Sequence, residues 1–189
     1  MRFYLSFIAV IVLSLNACGR SMDRSGIHDG TSWGDLGCAE ALTNQASELL
    51  QSDPHQAQAL LRQATEADQF FGPARNNLGV LLLNDGDLYG AAEEFDRARK
   101  LMPGHPDPRL NLGLAMERGG KLEEALEAYA SAIEVFPDHL PALQALAKLQ
   151  VRSGRVDDST QPMLQTIRVR GDPAWSRWAR EQLIRLGHH

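Results

Sequence analysis

Four side chains in this sequence could take part in chemistry: Cys18, Cys38, His105 and His139. The two histidines stand 34 residues apart, each two positions beyond a proline. A pair of imidazoles could begin a metal site, but a closed zinc site needs four ligands. No carboxylate or thiol recurs with them, so they read as solvated turn residues and no metal is expected. Cys38 could attack a substrate only with a base beside it, and the pattern of the chain places no histidine there. The sequence has no glycine-rich phosphate loop, no serine–histidine–aspartate order, no two-histidine zinc helix and no paired-carboxylate spacing. The expectation is a protein that is not an enzyme and needs no cofactor. An enzymatic reading would have to rest on Cys38 or the histidines. His188 and His189 are assigned nothing.

The histidines repeat because everything around them repeats. Asn77, Leu78, Gly79, Gly86, Ala91, Phe95, Ala98 and Pro103 are each followed 34 residues later by Asn111, Leu112, Gly113, Gly120, Ala125, Tyr129, Ala132 and Pro137. A fixed period of this length marks a stacked architecture. Within each unit Leu-Gly lies in one helix-length segment, a glycine breaks it, and Ala-x3-aromatic-x2-Ala marks one face of a second segment. The proline then ends that segment. Small residues fall where two helix axes approach and large ones where the space between must be filled. These residues resemble the tetratricopeptide repeat (TPR), a helical hairpin that stacks into a right-handed α-solenoid. Both units depart from that family at its opening aromatic, where Arg75 and Arg109 stand.

The period extends both ways and weakens. Ala57, Leu61 and Ala64 precede Ala91, Phe95 and Ala98 by 34 residues, while Asn44-Gln45 replaces Leu-Gly. Beyond Pro137, Leu146-Ala147 and Gly154 keep the register, but Ser159, Met163 and Thr166 replace the small and aromatic residues. Pro162 predicts a late start for the helix there. Asp172-Pro173 opens a last helix with Trp175, Trp178, Ala179, Leu183 and Leu186 on one stripe, as a capping helix would have. The expected fold is all-α: about four hairpins, over 38–71, 72–105, 106–139 and 140–171, with a capping helix over 173–187 in a solenoid domain of residues 38–187.

Residues 1–17 fall outside that domain. Arg2 is followed by a thirteen-residue apolar run from Phe3 to Leu15, too short to span a bilayer as a helix. Leu15-Asn16-Ala17-Cys18 comes next and resembles the lipobox of bacterial lipoproteins, in which the peptide is cut before the cysteine and the thiol is acylated. The resemblance implies lipidation, with palmitate among the acyl chains, at Cys18. Gly19, rather than Asp, follows it, which favours the outer membrane, facing the periplasm, in a cell with two membranes. Acylation would leave Cys38 without a disulfide partner, as a thiol buried on the first helix. Residues 18–37 lack apolar periodicity and read as a tether, the nineteen after the lipidated cysteine reaching roughly 25 Å. Trp33 packs on the first helix or touches the bilayer.

In such a stack the first helices line an inner groove. Positions beside the Leu-Gly pairs on these helices are Asn76, Asn77, Val80, Leu83, Asn84, Leu110, Asn111, Leu114, Glu117, Arg118, Gln144 and Lys148, with Val151 and Arg152 beyond. Amides there can pair with an extended peptide while Val80, Leu83, Leu110 and Leu114 accept its side chains. Each leucine either does this or packs against a neighbouring hairpin. Chaperone-binding members of the family grip a terminal carboxylate with Lys, Arg and Asn. Asn77 fits that set, but Val80 and Asp107 do not, so no such clamp is expected. Residues 38–147 carry 17 acidic against 8 basic side chains, whereas 148–189 carry 8 basic against 4 acidic. The overall charge of −5 argues against general nucleic-acid affinity. The basic end is a solvated capping helix or meets an acidic partner or an anionic membrane. The sequence thus reads as a membrane-anchored, non-catalytic scaffold or adaptor of the bacterial cell envelope that binds a peptide or protein in its groove. The alternative is a self-associating structural component of an envelope assembly such as a pilus or secretion apparatus.

Overall fold

The computed structural model describes residues 34–187. The leader, Cys18, Trp33 and His188-His189 lie outside them. Among the described residues all regular structure is helical, and these residues fall into two compact units divided between Ala74 and Arg75.

In the first unit α1 (Leu36–Leu49) and α2 (Pro54–Ala67) pack as a hairpin. Each start is fixed by an aspartate. The Asp35 carboxylate accepts from the Cys38 amide at 2.9 Å, and that of Asp53 accepts from Gln56 at 3.0 Å. These bonds satisfy amides that no helical carbonyl can reach. Pro54 sits in the first turn, where its missing N–H costs nothing. Ala39, Leu42 and Ala46 are buried on α1, and Ala57, Leu60, Leu61 and Ala64 on α2. The Asp35 amide donates to the Ala67 carbonyl at 2.8 Å, joining the start of one helix to the end of the other.

The chain continues through α3 (Gly72–Asn84), α4 (Leu88–Leu101), α5 (Asp107–Arg118), α6 (Leu122–Val135), α7 (Leu140–Ser153), α8 (Thr160–Arg170) and α9 (Pro173–Leu186). From Arg75 onward these form the second unit. From α4 to α9 each helix packs on the next in sequence, and α7 also touches α5. The turns after α3, α5 and α7 carry Gly86, Gly120 and Gly154 at φ of +85°, +74° and +70°, a left-handed conformation that favours glycine.

The two repeat positions that set helix spacing behave alike. A Cβ placed on Gly79 would lie 2.7 Å from the Phe95 ring, and one on Gly113 would lie 2.5 Å from the Tyr129 ring. Both aromatics are almost fully buried. The helix axes can therefore approach to ring thickness only where the backbone has no side chain. The two leucines beside these glycines diverge: Leu78 is buried, while Leu112 is half-exposed.

The late start expected for α8 is observed. The period would begin it at position 156, but it begins at Thr160. Pro162 then stands in the first turn and forfeits no helical bond. The preceding residues are held by side chains instead. Thr160 is fully buried, donates to the Gln150 side-chain oxygen at 2.8 Å and accepts from the Asp157 amide at 3.0 Å. Gln150 donates to the Asp157 carboxylate at 2.8 Å. The Ser159 hydroxyl, also on that carboxylate, is the main cause holding Asp157 below its usual pKa, with the Ser159 and Thr160 amides assisting.

On α9, Trp175 and Trp178 meet edge to face at 5.3 Å. With Leu183 and Leu186 they pack against the buried cluster that includes Met163, Leu164 and Ile167 of α8.

Two outcomes follow. Gly113→Leu should lower stability by about 1–3 kcal/mol, because Tyr129 is enclosed and cannot yield cheaply; thermal melting measures it, and an unshifted midpoint contradicts the packing. Asp157, with its pKa lowered on folding, contributes stability that is present above its unfolded value and lost as pH falls through the folded one. Asp157→Asn should therefore flatten the acid limb of a stability–pH curve below the usual carboxylate range.

Candidate protein-interaction surface

The polar side chains of α3, α5 and α7 show that these helices lie side by side. Asn111 of α5 donates its side-chain amide to the Asn76 side chain of α3 at 3.0 Å. Arg118 of α5 donates to the Leu83 carbonyl of α3 at 3.1 Å. Arg152 of α7 pairs with Glu117 of α5 at 2.8 Å. Glu117 also accepts from the Tyr129 hydroxyl at 2.7 Å. Tyr129 is pushed well above its ordinary pKa, first by burial and then by that carboxylate. One glutamate therefore ties α5 to both α6 and α7.

The structure places the groove positions unevenly. Val80, Leu110 and Leu114 are half-buried, as are Asn76, Asn77, Asn111, Glu117, Gln144 and Val151. Asn84, Arg118, Lys148 and Arg152 are exposed. Leu83 corrects the expectation, since it is buried, at 3% exposure, and offers no surface to a ligand. The amides are also less available than expected, because Asn76 and Asn111 are bonded to each other. Among the described residues the side chains of Asn77 and Gln144 make no hydrogen bond. What remains open is an apolar strip of Val80, Leu110 and Leu114, bordered by those two amides.

His139 needs a second correction. It is half-buried rather than a solvated turn residue: its Nε2 lies 3.2 Å from the Asp107 carboxylate and its ring meets Phe136 edge-on at 6.1 Å. His105 is exposed. The third correction concerns Cys38, which is half-buried and disulfide-bonded instead of carrying a buried thiol. With Cys18 taken as lipidated, the sequence offers Cys38 no partner, and so no disulfide is expected from it.

The opposite side of α5 holds a feature that the repeat pattern did not suggest. An open cleft of about 640 Å³ separates α4 from α5, floored by Leu88, Ala92, Leu112, Ala115 and Met116. It meets a smaller cleft of about 300 Å³ beside α6, where Arg109 and Ser131 form part of the wall. Arg109 stands where the repeat would open with an aromatic ring. Its guanidinium reaches Ser131 Oγ at 3.1 Å and the His105 carbonyl at 3.1 Å instead of filling space. The missing ring was the available signal for this cleft.

Models of the tetratricopeptide repeat match residues 47–106 and 118–177. The chain is built of tetratricopeptide repeats. No curated protein sequence matches it. Among solved structures, MamA is 19% identical over 78% of this chain and 81% of its own, with a TM-score of 0.60. The first TPR of Spaghetti (RPAP3), bound to the HSP90 peptide SRMEEVD, is 20% identical over 65% of this chain and 98% of its own, with a TM-score of 0.61. An O-GlcNAc transferase mutant from Thermobaculum terrenum is 25% identical over 71% of this chain but 26% of its own, with a TM-score of 0.64. These likenesses establish an all-α TPR solenoid fold.

Glu117→Ala would leave the Tyr129 hydroxyl without its acceptor and Arg152 without its carboxylate. It should cost about 1–3 kcal/mol, read as a lowered urea midpoint at unchanged slope. In a Tyr129→Phe background the cost should shrink; strict additivity would show that the two groups do not interact.

Proposed function

We propose that this TPR chain is a non-catalytic scaffold or adaptor that holds a peptide or protein partner against the wall of α3, α5 and α7. The observation that carries this reading is the strip of Val80, Leu110 and Leu114. The polar neighbours of that strip tie the helices to one another, whereas these side chains stay half-open, Leu110 with its buried part against the core. A partner would gain apolar burial there without breaking a bond of the fold. A chaperone-type carboxylate clamp does not fit: Asp107 would repel a terminal carboxylate, and Val80 offers it no donor.

The proposal includes location: lipid at Cys18 and attachment to the bacterial envelope, with the periplasmic face of the outer membrane favoured. Its support is the order of charge, apolar run and cysteine in residues 1–18. In a chain with two cysteines, acylation of Cys18 and an internal disulfide at Cys38 exclude each other. The intact mass of the protein extracted from membranes, measured with and without reductant, separates them. A mass increment matching acyl chains supports the anchor. An unacylated chain that gains two hydrogens on reduction refutes it.

The adaptor reading is tested by photo-crosslinking in intact cells from Leu114, with Met116 on the opposite side of α5 as the control. One recurrent protein captured from Leu114, and lost in the Leu110→Asp variant, is the expected result. Equal capture from both positions, or capture insensitive to Leu110→Asp, would overturn the assignment of this wall.

A further inference from the structure

The first and last described helices each leave one face without a helix against it. Helix α1 packs on α2, and α9 packs on α8. The two helices are both 14 residues long, about 21 Å.

Their open faces differ in charge. On α9 the buried side carries Trp175, Trp178, Ala179, Gln182, Leu183 and Leu186. At helical spacing the opposite side presents Arg177, Arg180, Glu181, Ile184 and Arg185. All five are exposed, and Ile184 is open to 56%. The three guanidinium groups make no ion pair or hydrogen bond among the described residues. On α1 the buried side carries Ala39, Leu42, Thr43 and Ala46. The opposite side presents Leu36, Glu40, Ala41, Asn44, Ser47 and Glu48, and no basic residue occurs in the helix. Glu40 and Glu48 have no cationic partner among the described residues, and Leu36 is 50% exposed.

We propose that a second copy of this chain docks here, the α9 face of one molecule on the α1 face of the next. The sign of charge, the helix length and one exposed aliphatic side chain on each face all match. Ala41, Asn44 and Ser47 on α1 are small enough for the arginine stems and Ile184 to approach closely. Docking extends helix-on-helix packing from one molecule to the next. Because the two faces differ, the contact is heterologous and generates rings or open chains, according to the rotation between copies. This does not rest on the adaptor reading, since the α3–α5–α7 wall is not used. An anionic lipid surface is the competing occupant of the arginine face, but it would leave the acidic α1 face unmatched.

The test is sedimentation of the full chain in mild detergent across concentration and salt, for the parent and two charge-reversed variants. Arg177→Glu/Arg180→Glu/Arg185→Glu makes both faces acidic, and Glu40→Lys/Glu48→Lys makes both basic. The parent should gain mass with concentration and lose it with added salt. Each variant alone should stay at monomer mass, and an equimolar mixture should regain the parent's association. That rescue shows both variants to be folded. A parent that is monomeric at every concentration overturns the proposal. So does association unaffected by the reversals, or arginine-dependent binding to phosphatidylglycerol vesicles without self-association.

Discussion

The second unit depends on a ring lying flat against a backbone that has no side chain. Phe95 covers Gly79 and Tyr129 covers Gly113, and in each case a single added carbon would sit well inside van der Waals contact. This contact sets how closely the two helices of a hairpin approach, and so where the first helix presents its other face. The small residues at Ala91, Ala98, Ala125 and Ala132, all fully buried, keep the same distance along each second helix. Where the pattern lapses, at Met163 and Thr166, the structure changes accordingly: α8 starts late, and the polar network of Gln150, Asp157, Ser159 and Thr160 holds the approach that helical bonds would otherwise hold.

Fixing the hairpins fixes two surfaces of opposite kind. The wall of α3, α5 and α7 is bonded across the repeats by Asn76 with Asn111, by Arg118 with the Leu83 carbonyl and by Glu117 with Arg152. These bonds rigidify it before any partner arrives, which reduces the ordering that binding would otherwise require. On the far side of α5, Leu112 and Met116 border open volume because Arg109 does not fill it. Met116 is an adaptable lining for such a space. The same helix is thus closed and polar-bonded along one side and open along the other.

The repeat made the fold legible: period, glycine breaks and prolines located the helices, and the Trp175–Leu186 stripe located the last one. The site was legible only in outline. Spacing places a residue on a side of a helix but does not say what its functional groups do there. Asn76 and Asn111 read as two free amides because their bond joins residues 35 apart, and Leu83 read as exposed because its burial comes from packing that a repeat template does not specify. His139 read as a turn residue because the Asp107 carboxylate reaches it from the far end of the same repeat, at the start of α5. At Cys38 the sequence shows no disulfide because a lipid on Cys18 would leave it no partner. Each error concerned a pairing between distant positions, which local pattern does not encode.

The measurement that bears most directly on this account is a double-mutant cycle between Gly79→Ala and Phe95→Leu, followed by urea unfolding. If the ring-on-glycine contact governs helix approach, Gly79→Ala should be costly in the parent, by about 1–3 kcal/mol. It should cost clearly less once Leu replaces the ring, giving a coupling well above the few tenths expected of independent sites. Equal costs in both backgrounds would mean that the helices are spaced by something else, and the placement of the α3–α5–α7 wall would lose its physical basis.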